Sequence, residues 1–486
     1  MLRSRLPRLP TRQAVPSGTA RLQAAEPSGP GCYVRTSVTV PTNATRRNLP
    51  TPACVGEEPL ITTSPRSRRA TGRAVGSVAI AVVGAGLLVN VYLAVVGRQL
   101  SEAQYSHFGA YWSISLIVAF GAFLPVEQEL ARLLQTSADP RAAMCAALKV
   151  TGVLAAIALA AVAIFLIPLS AGLGNDAGLI SAIPALIAVS VVQFLVRGML
   201  IGLNRITVHA TIILVDAALR VAGSLALAAL VPSPTVADFG WMLVVSISIA
   251  HIPMLPFVLR ESRRRGLTGV VAVAPLRRAV LQLLVATSCA QLLLNGAPLL
   301  VAAVATPGEQ QAAGRFLAAF TLARIPLFIA VPLQSAVLPT LTRLVQEGRA
   351  AAVRVLLAKT SVALAAVGTV GVLIALTTGA DIVQLIFGER YVVSGRDLAL
   401  MVAGAVVYLG LLLTTQAMVA SGLHSRVAQT WLVSSAVGAL VFVVVPDLFL
   451  RAELGFLGGS CAGWAMGTVL ISRLRRAPMP SSATAP

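Results

Sequence analysis

The chain alternates between long apolar stretches and short polar segments. From Ala74 onward, apolar runs of about 19 to 27 residues recur, and roughly 20 apolar residues are needed for a helix to cross a bilayer. The pattern therefore predicts an all-α membrane protein with twelve transmembrane helices. Their expected positions are 75–97, 108–126, 150–170, 179–203, 207–231, 239–259, 279–304, 314–340, 356–378, 397–421, 427–449 and 453–472.

The first 73 residues differ from the rest of the chain. They are rich in Pro, Ser, Thr and Arg and contain no long apolar run, which is typical of disorder. Similar short stretches end the fourth and tenth predicted helices, which indicates two related six-helix bundles. The predicted organisation is a basic tail (1–73), an N-terminal bundle (74–259), a basic linker (260–278), a C-terminal bundle (279–472) and a short tail (473–486).

Composition supports the same class. The chain is 57% hydrophobic and only 12% charged, with a mean hydropathy of +0.84, whereas a soluble domain is about one-quarter charged. These values exclude a soluble enzyme, a secreted disulfide scaffold and a disordered protein. The five cysteines are scattered without metal-ligand spacing, so we expect neither a metal nor a cofactor.

The net charge of +20 is distributed unevenly over the predicted connections. Those on one side of the membrane carry 22 Lys and Arg residues, and those on the other carry five, which are Arg98, Arg315, Arg390, Arg396 and Arg451. Cytoplasmic loops retain cations, so both termini are expected in the cytoplasm of a bacterial cell, with the helices in its inner (plasma) membrane. No basic face exists outside these loops, so nucleic acid is not an expected partner, whereas membrane lipids are.

Four charged residues lie well inside predicted helices: Arg197, Asp216, Arg220 and Arg324. Asp216 and Arg220 are four residues apart on one helical face, so they can form a structural pair or contact a substrate. The eighth predicted helix offers no acid to Arg324. Three arginines against one aspartate predict a cavity with surplus positive charge, suited to a phosphate or diphosphate head group.

Uncharged residues add two further hypotheses. Gln291 and Asn295 in the seventh predicted helix can bind sugar hydroxyls or form hydrogen bonds between helices. Pro125, Pro326 and Pro332 interrupt helical hydrogen bonding and are candidate gating positions. The usual enzyme signatures are absent from the sequence, so we expect a non-enzyme.

Acidic residues follow the second predicted helix. Glu127 and Glu129 come directly after Pro125, at the expected cytoplasmic end of that helix. We expect both carboxylates at the membrane surface, where they can pair with loop arginines.

Several segments resemble the polysaccharide-exporter branch of the multidrug/oligosaccharidyl-lipid/polysaccharide (MOP) flippase superfamily. They are 316–328, which contains Arg324 and Pro326, together with 338–344, 123–129, 294–298 and 385–388. The resemblance implies a Wzx-type flippase with two six-helix bundles. Such a protein moves polyprenyl-diphosphate-linked oligosaccharide to the outer leaflet by alternating access, for cell-surface polysaccharide biosynthesis. Cationic cavity residues are thought to meet the diphosphate in that family, a role that Arg324 and Arg220 match by type and depth.

Two other functions remain open at this point. One is a drug or metabolite exporter of the same MATE-like fold, although the drug-exporting branch usually carries an acid in its first helix, where this chain has Asn90. The other is a transport-inactive scaffold for a glycan assembly complex. The flippase interpretation also implies glycan polymerase or glycosyltransferase partners.

Overall fold

The computed structural model describes residues 65–136, 139–264, 273–329, 337 and 340–473. Most of the predicted tail therefore lies outside the described residues, as does Pro332. The first helix begins at Pro65, nine residues before the predicted boundary. All described elements are helical.

In the described part of the chain, nine α-helices precede residues 265–272. They are α1 (Pro65–Gln99), α2 (Glu102–Leu116), α3 (Leu124–Gln135), α4 (Pro140–Ile164), α5 (Leu166–Gly172), α6 (Ala177–Gly202), α7 (Ile206–Leu230), α8 (Val236–His251) and α9 (Met254–Arg264). A π-helical segment, Ile117–Phe123, joins α2 to α3. We call this part of the chain the first half.

The second half begins with α10 (Val273–Val304) and α11 (Gln310–Ala323). A 3-10 segment, Ile325–Ile329, follows α11, and residues 340–346 are also helical. The remaining helices are α12 (Ala350–Thr377), α13 (Gly379–Phe387), α14 (Gly395–Ala420), α15 (His424–Val444) and α16 (Leu448–Ser472).

Eleven helical segments of the described chain are long and apolar enough to cross a membrane. They correspond to eleven of the twelve predicted helices, and the chain is a multi-pass membrane protein. The remaining predicted span, 314–340, contains most of α11, the 3-10 segment and residues 330–336, which lie outside the description.

Polar caps explain several of the helix starts in this apolar chain. Ser101 accepts a hydrogen bond from the backbone of Gln104 and begins α2, and Thr235 does the same with Asp238 at α8. Asp176 caps α6 and Asp447 caps α16. These side chains satisfy backbone N–H groups that have no partner within the helix.

Two of the predicted gating prolines lie where regular α-helix stops. Pro125 occupies the first turn of α3, directly after the π-helical segment. Pro326 lies in the 3-10 segment that follows α11. Because π and 3-10 geometry often marks hinges and functional sites, both positions remain candidate gates.

The two halves meet along α2, which packs against α10 and α11. At the α1–α2 turn, Arg98 donates a hydrogen bond from Nε to the carbonyl oxygen of Ile386 at 2.8 Å. In the opposite direction, Nη2 of Arg390 donates to the carbonyl oxygens of Gly97 and Leu100 at 2.9 and 2.7 Å. Main-chain carbonyl groups of each half thus accept hydrogen bonds from an arginine of the other half.

An ion pair lies beside these contacts. Nε of Arg315 in α11 is 2.8 Å from Oε1 of Glu102 in α2. We call the contacts of Arg98, Glu102, Arg315 and Arg390 the seam. Arg98, Arg315 and Arg390 are three of the five arginines that the sequence places on the less basic side of the membrane. All three lie at one end of the molecule, where the two halves are in contact.

Gly314 gives a test of this packing. A Cβ added there would lie 1.9 Å from the carbonyl oxygen of Glu102, and 2.6 Å from its carbonyl carbon. These are backbone atoms, which cannot move aside as the end of a flexible side chain can. Gly314→Ala should therefore push α11 away from α2 and lower the free energy of unfolding by about 1–3 kcal/mol. Thermal unfolding in detergent measures this. The control is Gly308→Ala, where the added Cβ meets no atom within 4 Å, and equal stability of the two variants would contradict the prediction.

Candidate functional site: a charged cavity between the halves

A cavity of about 300 Å³ lies between α1, α2, α6, α7 and α8 of the first half and α10, α11 and the 3-10 segment of the second. Most of its wall is apolar. Its charged and polar lining is formed by Asn90, Gln193, Arg197, Asp216, Arg220, His251, Thr321 and Arg324, among others. The structure thus brings together all four charged residues that the sequence singled out.

Arg324 enters the cavity from the second half. It is the C-cap residue of α11, at the point where α-helix gives way to the 3-10 segment. Its guanidinium carbon lies 5.2 Å from the ring centre of Phe320, a cation–π contact. Within the described residues, no carboxylate forms an ion pair with Arg324.

Asp216 and Arg220 form an ion pair on α7, as their spacing allowed. Nε of Arg220 donates to Oδ1 of Asp216 at 3.2 Å, and Nη2 contacts Oδ2. The Arg220 guanidinium also lies 5.8 Å from the ring of Trp112. Both residues line the cavity, but their charges cancel.

Arg197 has a partner that the sequence analysis placed elsewhere. Its Nη2 donates to Oε1 of Glu127 at 3.2 Å, and its Nε is 3.1 Å from Oε2. Glu127 is only 4% exposed and its partner lies within α6, so the expectation that it pairs with a loop arginine was wrong. The physical reason is that α3 packs against α6, which places this carboxylate beside an otherwise unpaired buried arginine. Nε2 of His209 lies 3.7 Å from the same carboxylate.

The pairing changes the charge of the cavity. Glu127 neutralises Arg197, and Asp216 neutralises Arg220. The surplus of two positive charges expected from the sequence is therefore reduced to one, carried by Arg324. Among the described residues, an anion in this cavity would find one guanidinium that has no competing carboxylate.

Two predicted polar residues do not line the cavity. Nδ2 of Asn295 donates to Oε1 of Gln291 at 2.6 Å, one turn away on α10, and Asn295 is 1% exposed. The bond lies within one helix, whereas the sequence predicted either sugar binding or a hydrogen bond between helices. Neither Pro125 nor Pro326 lines the cavity, although Leu327 beside Pro326 does.

His251 was missed by the sequence analysis. It lines the cavity from the end of α8 and is 1% exposed. Its Nδ1 is 3.0 Å from the carbonyl oxygen of Ile247, and its Nε2 has no hydrogen-bond partner in the described chain. The chain has four histidines, and the position of His251 inside the sixth predicted helix is the sequence feature that indicates a buried polar site.

Sequence relatives come from mycobacteria. The uncharacterized protein Rv3630 of Mycobacterium tuberculosis is 30% identical over 425 residues, covering 84% of this chain and 95% of that protein. Mb3654 of Mycobacterium bovis matches to the same extent. The chain belongs to the same family as these uncharacterized proteins. A further relative, Rv1510 of M. tuberculosis, is 28% identical over 422 residues, covering 85% and 93% of the two chains. No established protein-family model matches the sequence.

Solved structures show the fold of this family member. A multidrug resistance MATE family transporter of the MOP superfamily, in its inward-facing conformation, aligns over 81% of this chain and 96% of its own with a TM-score of 0.61 and 15% identity. An outward-facing structure of a multidrug resistance MATE family transporter aligns over 82% of this chain and 95% of its own with a TM-score of 0.56 and 15% identity. The chain therefore has the MATE transporter fold.

Proposed function

We propose that this chain is a membrane transporter that moves polyprenyl-diphosphate-linked oligosaccharide across the bilayer by alternating access. The fold supports transport, since the similar solved structures are transporters. A cavity between two halves that touch at one end provides a substrate site of the kind alternating access requires.

The unpaired state of Arg324 among the described residues is the observation that favours an anionic substrate. Its guanidinium lines the cavity and has no carboxylate partner in the described residues, whereas Arg197 and Arg220 have one each. A diphosphate can accept hydrogen bonds from both sides of the planar guanidinium. The volume of about 300 Å³ is at the lower end of the range for ligand pockets, so the cavity would hold the diphosphate head group while the lipid tail and the glycan extend beyond it.

A drug or metabolite exporter is the second candidate. The aromatic wall formed by Trp112, Phe120 and Phe320 suits an apolar or amphiphilic compound, and the multidrug transporter shares the fold. A cationic drug would need a free carboxylate, but Asp216 is paired with Arg220. We therefore rank this function second.

Lipid extraction from cells that lack the protein tests the proposal. The expected result is accumulation of polyprenyl-diphosphate-linked sugars on the cytoplasmic side, at least several-fold above wild-type cells, with restoration by the wild-type chain. Unchanged lipid-linked sugars and unchanged surface glycans would contradict the flippase proposal and favour the exporter. Loss of glycan polymerase or glycosyltransferase activity without accumulation would instead favour a scaffold.

A further inference from the structure

A second cavity, of about 120 Å³, lies directly behind the seam. Its wall is built from α11, α14, α16 and the segment that precedes α14. Three charged residues line it: Arg315, Asp397 and Glu453. Arg315 is also the residue whose guanidinium pairs with Glu102 across the seam, so the cavity and the seam share one side chain.

Glu453 is buried, with 2% of its surface exposed, and neither oxygen of its carboxylate has a hydrogen-bond partner among the described residues. The charged groups that act on it from neighbouring positions are Asp397, Asp447 and Arg396. An unpaired carboxylate at this depth, near two other carboxylates, is costly, and such a group is stabilised by a proton or by a cationic partner.

Arg315 is the arginine that lines the same cavity as Glu453. It belongs to α11 in the second half, and its present partner Glu102 begins α2 in the first half. Separation of the halves at this end would remove Glu102 from Arg315. A guanidinium released beside an unpaired carboxylate gains an ion pair by turning toward it.

We propose that Glu453 is a proton-binding site for which the guanidinium of Arg315 competes. With the seam closed, Arg315 holds Glu102 and Glu453 carries a proton. When the seam opens, the O–H bond of Glu453 breaks, its proton passes to water, and the carboxylate pairs with Arg315. One proton leaves for each opening, so high pH favours the open seam and low pH the closed one. The proposal does not depend on which substrate occupies the large cavity.

Distance measurements between spin labels test it. Labels at Leu230 and Leu385, which are 80% and 74% exposed on different halves, report the opening of the seam in a background without native cysteines. Between pH 5 and 9, the wild-type ratio of open to closed molecules should rise by up to about tenfold per pH unit, the limit for one proton. Glu453→Gln keeps a neutral side chain of the same size, so it should stay closed at every pH.

A matched control uses an exposed acid of the same end. Glu309 accepts hydrogen bonds from the hydroxyl and backbone N–H of Thr306 at 2.7 and 2.9 Å, and these hold the pKa of Glu309 below its usual value. Glu309→Gln should therefore leave the wild-type pH curve unchanged. Asp397→Asn removes a neighbouring negative charge, so Glu453 should release its proton more readily. The midpoint of the change from closed to open molecules should then move to lower pH.

Three outcomes would overturn the proposal. The first is a wild-type distance distribution that does not change with pH. The second is an unchanged pH response in Glu453→Gln, with gel filtration and thermal unfolding showing that the variant is folded. The third is a pH response that disappears when sodium is replaced by N-methylglucamine, which would assign the site to Na⁺ rather than to the proton.

Discussion

Arg324→Ala should abolish transport while leaving the protein folded and inserted. The variant removes the one cavity guanidinium that has no carboxylate partner among the described residues, so an anionic head group loses its strongest contact. A hydrogen bond to a charged group contributes about 1.5–3 kcal/mol, which corresponds to a loss of roughly 10- to 150-fold in affinity. Binding of a short-chain polyprenyl diphosphate to the purified protein measures this loss directly.

Two further variants separate charge from structure. Arg324→Lys keeps the charge but not the planar fork, so it should retain part of the affinity. Arg396→Ala removes an exposed arginine that is not part of the cavity, and its affinity should equal that of the wild type. If Arg324→Ala binds the diphosphate as tightly as Arg396→Ala does, Arg324 does not contact the head group.

Glu127→Gln should cause the largest loss of stability. The substitution keeps the shape of the side chain but leaves the buried Arg197 without its carboxylate. Removing one member of a buried ion pair typically lowers the free energy of unfolding by about 3–5 kcal/mol. Unfolding in mixed detergent micelles, followed by circular dichroism, measures the change.

Glu129→Gln is the matched control, two residues along α3. Its partner Arg132 is 58% exposed, so the guanidinium can be hydrated by water when the carboxylate is removed. The free energy of unfolding should therefore fall by at most about 1 kcal/mol. The double variant Glu127→Gln/Arg197→Met, which buries no charge at this pair, should recover most of the stability lost by Glu127→Gln. Equal losses in Glu127→Gln and Glu129→Gln would contradict the structural role of the Glu127–Arg197 pair.

Periodic and local features were predictable from the sequence. Runs of apolar residues located eleven of the twelve predicted helices, because each must cover the width of the bilayer. The Asp216–Arg220 pair followed from a spacing of four residues, which places both side chains on one face of a helix. The distribution of arginines over the predicted connections also placed Arg98, Arg315 and Arg390 on one side of the membrane. The structure brings these three residues to the same end of the molecule.

Contacts between helices were not predictable in the same way. Glu127 and Arg197 are 70 residues apart, and nothing in their spacing indicates that α3 packs against α6. Glu453 lies at the first residue of a predicted span, where an acid is expected to face water, yet packing between α11, α14 and α16 buries it. Pairing of buried charges depends on which helices are neighbours, and a single sequence does not give that information.

The proposed function depends most directly on whether the protein moves an anionic lipid. The decisive measurement reconstitutes the purified chain in vesicles that contain a fluorescent short-chain polyprenyl-diphosphate sugar, and follows the probe accessible to an external quencher. The wild-type protein should bring essentially all of the probe within reach of the quencher over time. Vesicles with Arg324→Ala should behave like protein-free vesicles, in which only the outer leaflet is quenched. Wild-type vesicles that quench no more probe than protein-free ones would contradict the proposed function.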